Sequence, residues 1–195
     1  MPTAEELARA NRAFLKNEPR EIIYRASLDL VSRAITGDGP LNLAEAVGVL
    51  LLVWNRSYYQ YRKFDEAHLQ DIEALLQRHQ SALAVYRSRA IQNLAEEDDR
   101  VLVPFFVEFE IVLGPVGAAK TLHLIAPCFF PLWDRKIAAA YSCSLARRGM
   151  NGERYVWFMH NAKAQCEECG ALPDGRNLLK AIDEYNYCKF TRGWL

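Results

Sequence analysis

The stretch Gly114-Pro-Val-Gly-Ala-Ala-Lys-Thr-Leu-His-Leu-Ile-Ala-Pro-Cys-Phe-Phe-Pro-Leu-Trp-Asp134 decides the fold. Between Val116 and Ala126 its apolar residues recur at three- and four-residue spacing, the mark of a helix. Gly114, Pro115 and Gly117 open that helix with a tight turn. Pro127 and Pro131 force the chain round, and Asp134 heads a second helical stretch, Arg135-Lys-Ile-Ala-Ala-Ala140. Free N–H groups at a helix start face outward and can hold a phosphate. Gly114, Val116, Gly117 and Ala118 are therefore candidate nucleic-acid contacts. Lys120 sits in the first turns of the helix, which rises about 15 Å. The fold-back lets Asp134 approach Lys120, and a lysine beside a carboxylate suits chemistry on a nucleoside. Asp134 has a second reading as a plain helix N-cap, Lys120 one as an exposed helical lysine, and Gly117 one as a tight turn only. Trp133 and His123 read as packed side chains.

Outward from this stretch the same periodicity predicts helices over 3–16, 20–36, 42–62, 66–79, 81–95, 98–113, 116–126, 135–146, 151–168 and 175–190. The breaks fall at Asn17-Glu-Pro, Thr36-Gly-Asp-Gly-Pro, Gly114-Pro, Pro127 to Pro131, Arg148-Gly-Met-Asn-Gly and Leu172-Pro-Asp-Gly. Val101-Leu-Val-Pro-Phe-Phe-Val could pass for a strand, but Pro104 favours a helix. The expected fold class is all-α: one compact multi-helix domain over residues 1–195. At 195 residues, 51% apolar and 25% charged, the chain is long enough to bury a real core.

The formal net charge is zero, which argues against strong general affinity for nucleic acid. The distribution is uneven. Residues 115–195 hold 11 Lys and Arg against 7 Asp and Glu, so the half with the opening motif is basic. The longest strongly apolar run, Ala46 to Trp54, is short of the about 20 residues a membrane span needs, and no membrane partner is expected. The N-terminus lacks a basic start followed by an apolar stretch, so a cytoplasmic monomer is the expectation.

Trp54-Asn-Arg-Ser-Tyr-Tyr-Gln-Tyr-Arg-Lys63 mixes aromatic, amide and basic groups that can stack on bases and bind phosphates. Trp54, Asn55 and Arg56 are candidates there, although Trp54, Tyr58 and Tyr61 also recur at helical spacing, which suits burial. Arg87 and Arg89 can reach a phosphate or serve as surface charges. Five cysteines in this context read as reduced thiols. Cys143, Cys166, Cys169 and Cys188 suit either a four-thiolate site or separate helix faces; the spacing is irregular, and no metal or cofactor is assigned.

In motif order the chain resembles the helix-hairpin-helix DNA glycosylase superfamily, the endonuclease III and 8-oxoguanine glycosylase type. Val49-Leu-Leu-Leu-Val-Trp-Asn-Arg-Ser-Tyr58 resembles the helix end and loop lining the lesion pocket. Val85-Tyr-Arg-Ser-Arg-Ala-Ile-Gln-Asn-Leu94 resembles the helix before the hairpin. Leu113-Gly-Pro-Val-Gly117 is similar to the hairpin turn Leu-Pro-Gly-Val-Gly, and Asp134-Arg-Lys-Ile137 to the Asp-Thr-His-Ile that follows it. The resemblance covers about residues 42–165. It implies a glycosylase-like fold and a DNA partner with a damaged or modified base. It also implies base excision from an extruded nucleotide, with Lys120 as nucleophile, Asp134 as the charge-stabilising carboxylate and lyase activity through Lys120. Two departures stand out. Pro115 replaces the first turn glycine and removes an N–H, and Ala119 occupies the family's lysine slot. Lys120 falls one residue later, a rotation of about 100° around the helix. The alternatives are a non-catalytic nucleic-acid-binding module or a helical protein-interaction module.

Overall fold

The computed structural model describes residues 2–19, 21–172 and 175–195, and no strand occurs among them. Arg20 and the Pro173-Asp174 of one expected break lie outside the described residues. The α-helices are α1 (Ala4–Asn17), α2 (Glu21–Thr36), α3 (Leu43–Trp54), α4 (Arg56–Tyr59), α5 (Glu66–Arg78), α6 (Gln80–Arg87), α7 (Asp99–Ile125), α8 (Arg135–Ala140), α9 (Gly152–Cys169) and α10 (Leu178–Asn186). A π-helical turn, Tyr187–Arg192, follows α10.

The helix starts are written locally. Thr3 Oγ1 accepts the Glu6 N–H at 3.2 Å while the Glu6 carboxylate accepts the Thr3 N–H at 2.8 Å. Asn42 and Glu45 repeat this box at α3. Each box satisfies two N–H groups that a helix start leaves over.

The centre of the fold is α7, which packs against α9, α5 and α2. It is long and apolar enough to cross a membrane by length and composition, a property that no single uninterrupted apolar run announces. In the fold it is the core helix: Phe105, Phe106, Phe109 and Leu113 are buried along it. Phe106 stacks on Tyr155 of α9 at 4.0 Å between ring centroids. α2 lies on α3, and α1 lies on α10 across nearly the whole sequence.

Where the sequence predicts a turn between two helices, α7 makes a one-residue break. Gly114 has φ 73° and ψ 163°, and the helix resumes at Pro115. Only glycine takes that conformation readily, and proline is preorganised to begin a helix. The break is also tight, since a Cβ on Gly114 would lie 2.7 Å from the Tyr58 ring. Trp133 Nε1–H donates to the Pro115 carbonyl at 3.0 Å, tying the segment before α8 to the break.

Three expected helices are shorter than their periodicity implies. The helix expected over 42–62 stops at Asn55, whose N–H donates to the Leu51 carbonyl while its backbone leaves the helical region. The one over 81–95 ends at Arg87, because the Arg89 guanidinium bonds the Asn93 carbonyl and Asp98 and folds the chain into two 3-10 turns. The one over 135–146 ends at Ala140, and Ser142 then takes φ 58°. Glu110, fully buried on α7, accepts both the backbone and the side-chain N–H of Asn151. Asn151 in turn bonds Ala146 and Arg147. That clamp fixes the loop before α9.

Candidate functional site

A cleft of about 1210 Å³ opens among α2, the α3–α4 junction, the second half of α7, α8, α10 and the π-helical turn. Trp54, Asn55, Val116, Lys120 and Asp134 all line it. Seven of its lining residues are Lys or Arg and four are Asp or Glu, so its field favours an anion.

Lys120 projects from the segment of α7 that follows the break. Its ammonium donates to the Trp54 carbonyl at 2.6 Å and stands 4.7 Å from the centroid of the Trp54 ring. That carbonyl lies at the C-terminal end of α3, where free carbonyls and the helix dipole favour a cation. Asp134 caps α8: Oδ1 accepts the N–H groups of Lys136 and Ile137, each at 2.8 Å, and Oδ2 accepts the Thr191 hydroxyl at 2.8 Å. Lys136 Nζ donates to the Thr191 carbonyl, so α8 and the π-helical turn are stitched together at the cleft wall. Both oxygens of Asp134 are thus engaged, and the side chain is held in place.

Asn55 is 5% exposed, and its Nδ2 has no hydrogen-bond partner among the described residues. A Cβ on Gly117 would lie 3.0 Å from that nitrogen, so glycine at 117 leaves room for the amide. Gly114, Gly117 and Ala118 are buried, with the Tyr58 ring against Gly114. Of the expected phosphate-gripping segment, only Pro115 and Val116 face the cleft. Tyr58 also accepts a hydrogen bond from Arg62 Nη1 at 2.9 Å. Arg62 Nη2 donates to His68 Nδ1 at 3.3 Å, which leaves the His68 Nε2–H to donate to Tyr59 at 2.9 Å. This chain holds Arg62 at the mouth, beside the almost fully exposed Tyr61.

Arg56, Arg87 and Arg89 are not brought to the cleft. Arg56 and Arg87 are exposed elsewhere. Arg89 is committed to a two-pronged pair with Asp98 at 3.0 and 2.6 Å, and its plane lies 4.6 Å from the Phe129 ring. Three of the four cysteines are tied to separate carbonyls, Cys143 to Ala138, Cys169 to Pro2 and Cys188 to Ala10, and Cys166 is buried on α9. Burial raises the Cys166 thiol to about 12 and those of Cys143 and Cys188 to about 11. Among the described residues no three His, Cys, Asp or Glu side chains gather as metal ligands.

The inner wall is built from residues outside the candidate motifs. Lys180, Asp183 and Tyr24 all line the cleft. The Lys180 side chain, 9% exposed, pairs with Glu21 and Glu184 at 3.3 Å each and with Asp183 at 3.9 Å. It also lies 4.3 Å from the Phe14 ring centroid and 4.7 Å from that of Tyr24. Burial pulls the Lys180 ammonium down, but Asp183, Glu184 and Glu21 together hold it above the ordinary lysine value. Burial also dominates at Asp183. With Glu184 and Asp134 beside it, and against the pull of Lys180 and Lys120, the carboxyl rises to about 7. Behind Tyr24, whose hydroxyl burial pushes far up, His123 is fully buried. His123 Nδ1–H donates to the Phe130 carbonyl at 2.7 Å, and Nε2 accepts the Tyr24 hydroxyl at 3.1 Å. Burial lowers His123 to about 4, so the imidazole is neutral. The only sequence signal for this wall was the Lys180, Asp183, Glu184 spacing, which also describes a solvated helix face.

No family model, curated protein or solved structure matches this chain.

Proposed function

We propose that this protein binds nucleic acid and excises a base from a nucleotide extruded into the cleft. One observation carries the reading: Lys120 and Asp134, 14 residues apart in sequence, line one cleft together with Trp54 and Asn55. Its volume is above the roughly 300–1,000 Å³ of common small-molecule sites, which suits a nucleotide still attached to its strand. The basic lining matches a phosphate backbone, and Tyr61 and Arg62 at the mouth supply a stacking face and a cation. In this reading the amine of Lys120 attacks the sugar C1′ and the fixed charge of Asp134 stabilises the positive charge developing there.

The test pairs two measurements on a panel of duplexes, each holding one damaged base. Duplex affinity is followed against salt, and covalent capture with borohydride is followed in the wild type and in Lys120→Ala. The expected result is salt-sensitive binding and an adduct that Lys120→Ala abolishes. Binding of no duplex at low salt refutes the proposal.

A second reading, a binding module without catalysis, is favoured by the engagement of both reacting groups. The Lys120 ammonium bonds a main-chain carbonyl, and both Asp134 oxygens accept structural hydrogen bonds. Salt-sensitive binding with neither an adduct nor a released base on any duplex selects it.

A further inference from the structure

We infer that Asp183 is the proton carrier of the cleft, taking a proton from the Lys120 ammonium before attack and delivering it to the departing base. This rests on the excision reading above. The nucleophile needs a partner that can accept a proton and later give it back. Asp134 is poorly suited, because three hydrogen-bond donors already occupy its two oxygens. Asp183 lines the same cleft, accepts no hydrogen bond from a described residue, and has its nearest recorded cation, Lys180, at 3.9 Å. Its side chain is 13% exposed, so it is sheltered from bulk water yet open to the cleft.

The charged and titratable groups around it come from every neighbouring element. Lys180, Glu184 and Cys188 belong to α10 and the turn after it, Glu21 and Tyr24 to α2, Lys120 to α7 and Asp134 to the α8 cap. The carboxyl groups of Glu184 and Asp134 disfavour a further negative charge, and Lys180 and Lys120 favour one. The balance, dominated by burial, puts the carboxyl at about 7, where it can work in both directions.

Asp183 takes one proton from the Lys120 ammonium. The free amine lone pair forms a bond to C1′, the glycosidic electron pair leaves on the base nitrogen, and protonated Asp183 gives that nitrogen its proton. The nitrogen now bonded to C1′ is cationic. Asp183 accepts one of its protons and passes it to the ring oxygen as the C1′–O bond breaks. The product is an iminium, to which borohydride adds hydride at C1′.

The experiment uses the full chain, single-lesion duplexes and capture rates measured from pH 5 to pH 9. Wild type should show a rate that rises through a midpoint near 7. Asp183→Asn should lower the rate at pH 8 by about 100-fold or more, lose that limb and keep the duplex affinity. Glu184→Gln, which removes a neighbouring negative charge, should move the midpoint toward acid. A merely structural Asp183 would leave the limb in place, so an unchanged rate and midpoint in Asp183→Asn overturns the inference. So does a Glu184→Gln midpoint that stays put. A wild type that is captured on no duplex removes the lysine-nucleophile reading on which the inference rests, and the proton carrier with it.

Discussion

Asp183→Asn should stabilise the protein at alkaline pH, by an amount that follows from where the carboxyl sits. In the unfolded chain this group ionises near 3.8, and in the fold at about 7. Between those values the fold holds a proton that the unfolded chain has released. Stability from this group is therefore complete below 3.8 and falls as pH rises through 7. From pH 5 to pH 7 the loss is about 1.4 kcal/mol per pH unit, or about 3 kcal/mol in all, and it levels off by pH 8. Relaxation of the wall around the charge makes this a ceiling. Asparagine has nearly the same shape and no charge, so it avoids the loss. Lys180 keeps Glu21 and Glu184, both at 3.3 Å, and gives up only the longer contact. Urea unfolding of wild type and variant at pH 5 and pH 8 measures the change. The variant's advantage should grow by up to about 3 kcal/mol between the two. Comparing the two proteins at each pH cancels the contribution of titrating groups that do not interact with Asp183, His123 included. An advantage that does not change with pH would refute the assignment of a raised carboxyl to Asp183.

Three further outcomes are expected. His123→Gln should flatten the acid limb of stability. The buried imidazole is held to about 4, so wild type loses about 3 kcal/mol as pH falls from 6.5 to 4 while the unfolded chain takes up a proton, read by denaturant titration at both pH values. Gly114→Ala should cost at least about 2 kcal/mol in urea unfolding, from backbone strain at φ 73° and from pushing the Tyr58 ring away. Glu110→Ala should cost about 3 kcal/mol by stranding the buried N–H groups of Asn151, and amide hydrogen exchange should quicken first between Ala146 and Asn151.

The helical class was legible because apolar spacing is local. The pairs Thr3 with Glu6 and Asn42 with Glu45, which the structure shows as capping boxes, are equally local and set where α1 and α3 begin. The stops at Asn55 and Arg87 were not legible, since both sit in stretches whose periodicity continues. What ends the second is Arg89 bonding forward to Asn93 and Asp98. The same bonds explain why Arg89, read as a phosphate contact, faces away from the cleft. At the site, the turn chemistry around Gly114 pointed to Lys120 and Asp134, and both reach the cleft. Lys180 and Asp183 stayed hidden because charge pairs three and four apart describe a wet helix face equally well. Only the packing of α1 and α2 over α10 buries them, and no local pattern encodes that.

The π-helical turn at 187–192 binds elements from distant parts of the chain. Tyr187 reaches Glu18, Arg192 stands 3.8 Å from the same carboxylate, and Thr191 holds Asp134. Contacts spanning some 170 residues carry a high loop-closure cost and cannot form on a ribosome until both partners have emerged. A nascent chain can therefore bury α7 while still lacking its cleft. Clipping at the last turn should likewise silence the site long before it melts the core.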